Sequence, residues 1–110
     1  MNLPFRHRAR FDRKKIVEYL LAPSHPDGGS KARFFSSFGF TVNRWETLAK
    51  ALKGHGKTFP VVGAVESKYG TRYTVEGRIS TPDNRDPGIR SVWMLSRKSK
   101  SPRLITAYPI

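Results

Sequence analysis

The hydrophobic period of this 110-residue chain changes once, near Lys57, and that change restricts the fold more than any other feature. Before it, apolar residues recur at helical spacing; after it, they alternate with polar ones. Asp12 is placed to cap a helix carrying Ile16, Val17, Leu20 and Leu21 on one face, and Pro23 ends it. A loop dense in turn formers follows, and Ser30 is placed to cap a second helix bearing Phe34, Phe35 and Phe38, closed by Gly39. Asn43 with Glu46 three residues on reads as a capping box, opening a third helix with Trp45, Leu48, Ala49 and Leu52 on one side and Gly54 as its stop. Strands are predicted over Phe59–Glu66, Thr71–Ser80, Ile89–Arg97 and Arg103–Tyr108, separated by turns rich in Gly, Pro, Ser and Asn. Helices first and strands afterwards imply an α+β fold, expected as three N-terminal helices packed on one face of a four-stranded antiparallel β-sheet. Residues 1–11 read as a basic arm outside a single domain of residues 12–110.

Charge narrows the function next. Twenty-one Lys and Arg against eight Asp and Glu leave +13, well above the roughly 2–8 that solubility requires of a small domain. With 37% hydrophobic and 12% aromatic residues the chain still has the means to build a core. No acid follows Asp86, whereas Arg90, Arg97, Lys98, Lys100 and Arg103 do. Such a surface suits a polyanion, and nucleic acid fits best because each neutralised phosphate releases counterions. No apolar run approaches the roughly 20 residues of a membrane span, the N-terminus lacks the apolar stretch of a secretory signal, and no segment pairs basic residues with a long apolar helical face. Without cysteine, thiol nucleophiles and thiolate metal sites are excluded, and the three scattered histidines form no metal signature. No cofactor is expected.

Four residues stand out as catalytic candidates. Lys31 lies three, four and seven residues before Phe34, Phe35 and Phe38, so it shares their helical face and either snorkels from the core rim or points into a cleft. It also sits in the first turn of a helix preceded by Gly28-Gly29-Ser30, where free N–H groups and the helix dipole favour phosphate. His25, in the loop before that helix, is either a general acid or base near a bound phosphate or a ring packed on Pro26, the plainer reading. In the last strand, Ile105 and Ala107 are expected to face the helices, so that Thr106 and Tyr108 project together from the open face to hold a phosphate and a base. Both also suit any strand. Ser30, Arg33, Thr71, Arg90, Arg97, Lys98, Lys100 and Arg103 are the expected phosphate-binding residues.

Several of these residues fall in a recognisable pattern. Tyr19-Leu20-Leu21, His25-Pro26, Ser30-Lys31-Ala32-Arg33-Phe34-Phe35 and Phe38-Gly39-Phe40 occur in order, followed by Tyr69-Gly70-Thr71-Arg72-Tyr73, Val92-Trp93 and Pro102-Arg103-Leu104-Ile105-Thr106-Ala107-Tyr108-Pro109. The set resembles an uncharacterised bacterial domain family that is similar to the barnase, EndoU, colicin and RelE-like group of toxin ribonucleases. The resemblance covers residues 12–109 and implies a toxin-like domain encoded beside a small antitoxin. It further implies metal-independent RNA cleavage, in which a base deprotonates the ribose 2′-hydroxyl and an acid protonates the departing 5′-oxygen. Lys31 would then be the phosphate-stabilising cation, His25 the first choice for acid or base, and Thr106 and Tyr108 the positioning groups.

The leading expectation is therefore an endoribonuclease toxin of a toxin–antitoxin or effector–immunity pair, acting in the cytoplasm or delivered there as an effector domain. Its expected partners are RNA, whether tRNA, rRNA or mRNA, and an acidic antitoxin or immunity protein. A non-catalytic cationic RNA- or DNA-binding module fits the same charge, as does a basic domain that docks on an acidic protein.

Overall fold

A computed structural model describes residues 1–110. Strands β1 (Val61–Ser67), β2 (Gly70–Arg78), β3 (Gly88–Ser96) and β4 (Arg103–Pro109) pair antiparallel in chain order. Only Lys68 and Tyr69 connect β1 to β2, and Gly70 then takes φ +141°, where an added Cβ would collide with the Leu95 carbonyl oxygen. Ahead of the sheet come a three-residue helix α1 (Arg13–Lys15), a π turn (Ile16–Leu20), α2 (Gly29–Ser37) and α3 (Trp45–Thr58).

The longest helix sets the core. Leu48, Ala49, Leu52, His55 and Gly56 form the buried face of α3, which packs across β2 and β3 against Val75, Ile89 and Trp93. Each such apolar side chain contributes roughly 1.5–3 kcal/mol by leaving water. The helix does not stop at Gly54. It runs on to Thr58, and at Gly56 its backbone lies close on the sheet, since a Cβ there would stand 2.6 Å from the Trp93 ring. Nor does the capping box form: Arg44 is the N-cap without a side-chain bond, and a 3-10 turn over Val42–Arg44 leads the chain in.

His55 seals this contact. The ring Nε2 lies 3.0 Å from the Gly77 carbonyl and must donate, so Nδ1 accepts from the Ser91 hydroxyl at 2.8 Å. Ser91 Oγ in turn accepts from Trp93 Nε1 at 2.8 Å. All three side chains are buried, and no buried side-chain polar atom in the protein lacks a partner.

The α+β class holds, but the expected layout of three N-terminal helices packed on one face of the sheet is corrected. Only α3 lies across the sheet; α1 and α2 pack against β4 at its edge, and β1 is left almost wholly exposed. The segment predicted as one regular helix from Asp12 to Pro23 is a single α turn followed by a π turn, in which the Leu21 N–H reaches back to the Ile16 carbonyl at 2.9 Å. That wider turn lets Ile16, Leu20 and Leu21 all reach the core, which a strict 3.6-residue period would not do as well. Residues 1–11, set apart above as an arm, are packed into the domain. Leu3 and Ala9 are buried, and Arg10 exchanges backbone hydrogen bonds with Pro102 and Leu104 beside β4.

Two outcomes test this packing. Gly56→Ala should lower stability by about 1–3 kcal/mol in urea denaturation, because helix or indole must move. Burial holds His55 below its ordinary pKa of 6.5, outweighing its hydrogen bonds to the backbone. The unfolded chain therefore takes up a proton that the folded chain refuses as pH falls through that value. Stability should be full above pH 6.5 and decline on acidification, by up to about 1.4 kcal/mol per pH unit from this group. His55→Gln should be less stable at neutral pH yet show a shallower decline between about pH 7 and 5; an unchanged slope would refute the assignment.

Candidate functional site

The π turn has a consequence at the sheet edge. Because Ile16 and Leu20 turn inward, Tyr19 is aimed at β4. Register places Thr106 there: Ser91 faces α3 through His55, so its cross-strand partner Ala107 faces the same way, while Val92 and Thr106 face the other. A bulge at Ile105 breaks the alternation expected for this strand, so that Leu104 and Ala107, not Ile105 and Ala107, point into the core. Tyr19 reaches β4, the last strand of the sheet, and its hydroxyl shares a hydrogen bond of 3.3 Å with the Thr106 hydroxyl.

Two ammonium groups stand over the same phenol. Lys15 Nζ is 4.9 Å and Lys31 Nζ 5.3 Å from the Tyr19 ring centroid, and Lys31 also donates to the Asp27 carbonyl at 3.3 Å. Partial burial works against ionisation of Tyr19, but the Thr106 hydroxyl and the two lysines outweigh it and hold the phenol below its ordinary pKa. Neither lysine is paired with a carboxylate, since the only ion pairs in the protein are Arg85–Asp83 and Arg90–Glu76.

His25 completes the group, with its ring edge-on to Tyr19 at 5.0 Å between centroids. Its Nδ1 accepts from the N–H groups of Asp27 and Gly28, at 3.0 and 2.9 Å. The proton of the neutral ring therefore sits on Nε2, which makes His25 a hydrogen-bond donor in this arrangement. Gly28, not Ser30, is the N-cap of α2, and the Ser30 and Lys31 N–H groups are left without backbone partners.

Asp12, Lys14, Lys15, Glu18, Tyr19 and His25 line a cleft of about 340 Å³ here. A second cleft of about 520 Å³ shares Asp12 and Lys15 with it and continues past Arg10, Phe11, Arg13 and Arg103. The sequence-predicted residues thus divide. His25, Lys31 and Thr106 converge on Tyr19, and Ser30 lies exposed in the first turn of the same helix. Arg33 is exposed on α2 and folds back toward Gly29. Tyr108 follows Thr106 on the sheet's open face opposite Arg90, which Glu76 and then Tyr108 keep charged. Arg103 belongs to the second cleft. Thr71, Arg97 and Lys98 line a separate cleft at the β1–β2 and β3–β4 turns, where Arg97 braces the Ser67 and Lys68 carbonyls, and Lys100 is exposed in the same turn region. No three His, Asp or Glu side chains come together as a metal site would require.

Sequence reasoning did not single out Tyr19 or Lys15 as members of this cluster. Helical periodicity assigned that stretch to core packing and gave no sign of the π turn that accompanies the Tyr19 contact with β4. The signal that was present is the cluster Arg13-Lys14-Lys15 one turn before an aromatic residue. The phenol supplies a direct check: its ionisation, followed by ultraviolet difference absorption, should occur below that of free tyrosine. Thr106→Val or Lys31→Ala should move it upward, and an unmoved titration in both variants would disprove the shared environment.

Comparison with known proteins supports the fold. No curated protein matches the chain. One chain of a solved structure described as a contact-dependent growth inhibition toxin–immunity protein complex from Klebsiella pneumoniae 342 superimposes with a TM-score of 0.73. The two are 19% identical, and the similarity covers 91% of this chain and 98% of that one. It is a likeness of fold. The model of the family described as Domain of unknown function (DUF6883) matches residues 2–110, so the chain belongs to that family.

Proposed function

We propose that this chain is a toxin domain that cleaves RNA by 2′-hydroxyl transesterification at the Tyr19 site. The observation that carries the reading is the Tyr19 phenol bonded to Thr106 beneath two unpaired lysines, in a protein of charge +13. A polyanion is drawn to such a cleft, and a phenol with a depressed pKa is equipped to move a proton. The shared fold with a chain of a growth-inhibition toxin–immunity complex favours an effector role over an ordinary binding module. It also favours an immunity protein as partner, and the charge of this chain makes that partner acidic.

In this mechanism Tyr19, as phenolate, takes the ribose 2′-proton. The 2′-oxygen forms a bond to phosphorus while the bond from phosphorus to the 5′-oxygen breaks, leaving a 2′,3′-cyclic phosphate. The Lys31 ammonium faces the charge developing on the phosphoryl oxygens and gives a proton to the departing 5′-oxygen, and solvent then restores both groups. Lys15 and the His25 Nε2–H hold the phosphate, Thr106 fixes the phenol, and Tyr108 with Arg90 extends the surface along the open face.

Purified protein incubated with total RNA and with tRNA in EDTA should give fragments ending in 2′,3′-cyclic phosphate. Tyr19→Phe and Lys31→Ala should each slow cleavage by at least about a hundredfold while RNA affinity stays within about threefold. Intact RNA at protein concentrations that retard its migration would reduce the domain to a binder. Fragments that persist unchanged in both variants would point to a contaminating nuclease.

A further inference from the structure

The second cleft has a composition that phosphate capture alone does not explain. Arg10, Arg13, Lys15 and Arg103 line it with no ion pair among them, against the single carboxylate of Asp12. That carboxylate is already engaged as a helix cap, accepting from the Lys14 N–H at 3.0 Å. Four cations held around one concave space repel one another, so the arrangement favours a multivalent anion that enters it. Aromatic support stands beside the charge. Phe11 lines the cleft and packs edge-on against Trp45 at 6.0 Å between centroids, and the Arg13 guanidinium lies 5.5 Å from the Trp45 ring centroid. Trp45 thus props both a phenyl ring and a guanidinium at the cleft wall, the two kinds of surface on which an unpaired base stacks.

We infer that this cleft is a subsite for one unpaired nucleotide flanking the phosphate held at Tyr19, which makes single-stranded RNA the substrate class. The inference rests on the ribonuclease reading above, because the two clefts are continuous through Asp12 and Lys15. About 520 Å³ falls within the range of pockets that enclose a small ligand, about 300–1,000 Å³. A base in a duplex is stacked on both sides and cannot enter. Arg10 and Arg103 hold the backbone phosphate from adjacent chain segments, since their main chains run side by side in a parallel bridge.

The test uses a short, fluorescein-labelled single-stranded RNA carrying 2′-O-methyl groups, which binds but cannot be cut, and the same strand annealed to its complement. Fluorescence anisotropy should show the single strand binding at least about fivefold more tightly than the duplex. Trp45 emission should change on binding, whereas Trp93 is sealed in the core. Arg10→Gln with Arg103→Gln should weaken the single strand by about tenfold and flatten the salt dependence by about 0.7 per cation removed. Phe11→Leu should abolish the preference for single strands; should it unfold the protein, the Arg pair carries the test alone. Equal affinity for single strand and duplex, or wild-type affinity in the Arg pair, would overturn the inference. So would polyglutamate displacing both RNAs alike with no strand preference, which would assign the cleft to an acidic protein. Because the probe cannot be cleaved, these outcomes are independent of whether Tyr19 and Lys31 cut RNA.

Discussion

The fit of α3 against β3 is the contact on which the rest of the structure depends. Gly56 lets the helix backbone come within reach of the Trp93 ring, and the chain of hydrogen bonds from Trp93 through Ser91 and His55 to the Gly77 carbonyl fixes the approach. A helix held this way determines which face of the sheet is core, because Ser91 and its partners Val75 and Ala107 must then point toward it. Everything on the alternate positions, including Arg90, Thr106 and Tyr108, is left on the other face. A polar relay in the core is costly if any member lacks a partner, and here each atom has one, so it specifies the packing at little net cost.

The second organising influence is electrostatic. Two ion pairs serve twenty-one basic side chains, so most of the positive charge is balanced only by solvent and salt. The fold gathers part of that charge where the β4 edge, the π turn and residues 10–13 meet. Those cations come from segments distant in sequence, Lys15 and Arg103 among them, and they share one pair of clefts. A tyrosine placed among them has its acidity altered by its neighbours, which separates this region from an evenly charged solubilising surface.

Much of the architecture was legible because it rests on local rules. The change of hydrophobic period near Lys57 announced helices before strands, and the Gly, Pro, Ser and Asn turns separated the hairpins. Lys31 was placed on the face of α2 that turns inward by its spacing to Phe34, Phe35 and Phe38, and it is half-buried beside Tyr19. Where the reading failed, a longer-range contact had overridden a local preference. Gly54 reads as a helix stop, yet α3 continues through it and through Gly56 to Thr58, because packing on Trp93 outweighs the lost propensity. Residues 1–11 looked like an arm since they have no period, and they are ordered by pairing with the backbone beside β4.

The sequence by itself determined the fold class, the absence of thiol side chains and the strong positive charge, and it singled out three residues, His25, Lys31 and Thr106, that gather around Tyr19. It could do so because composition is fixed and because helical and strand periodicities depend on residues only a few positions apart. The tertiary structure alone decided that Tyr19 lies half-buried against β4, that Thr106 is its partner across 87 residues, and that Arg10 and Arg103 lie side by side. A π turn and a bulge each insert one residue into a regular element, and each shifts every later side chain to a new direction. Neither leaves a mark in local periodicity, because both are set by how the finished core closes.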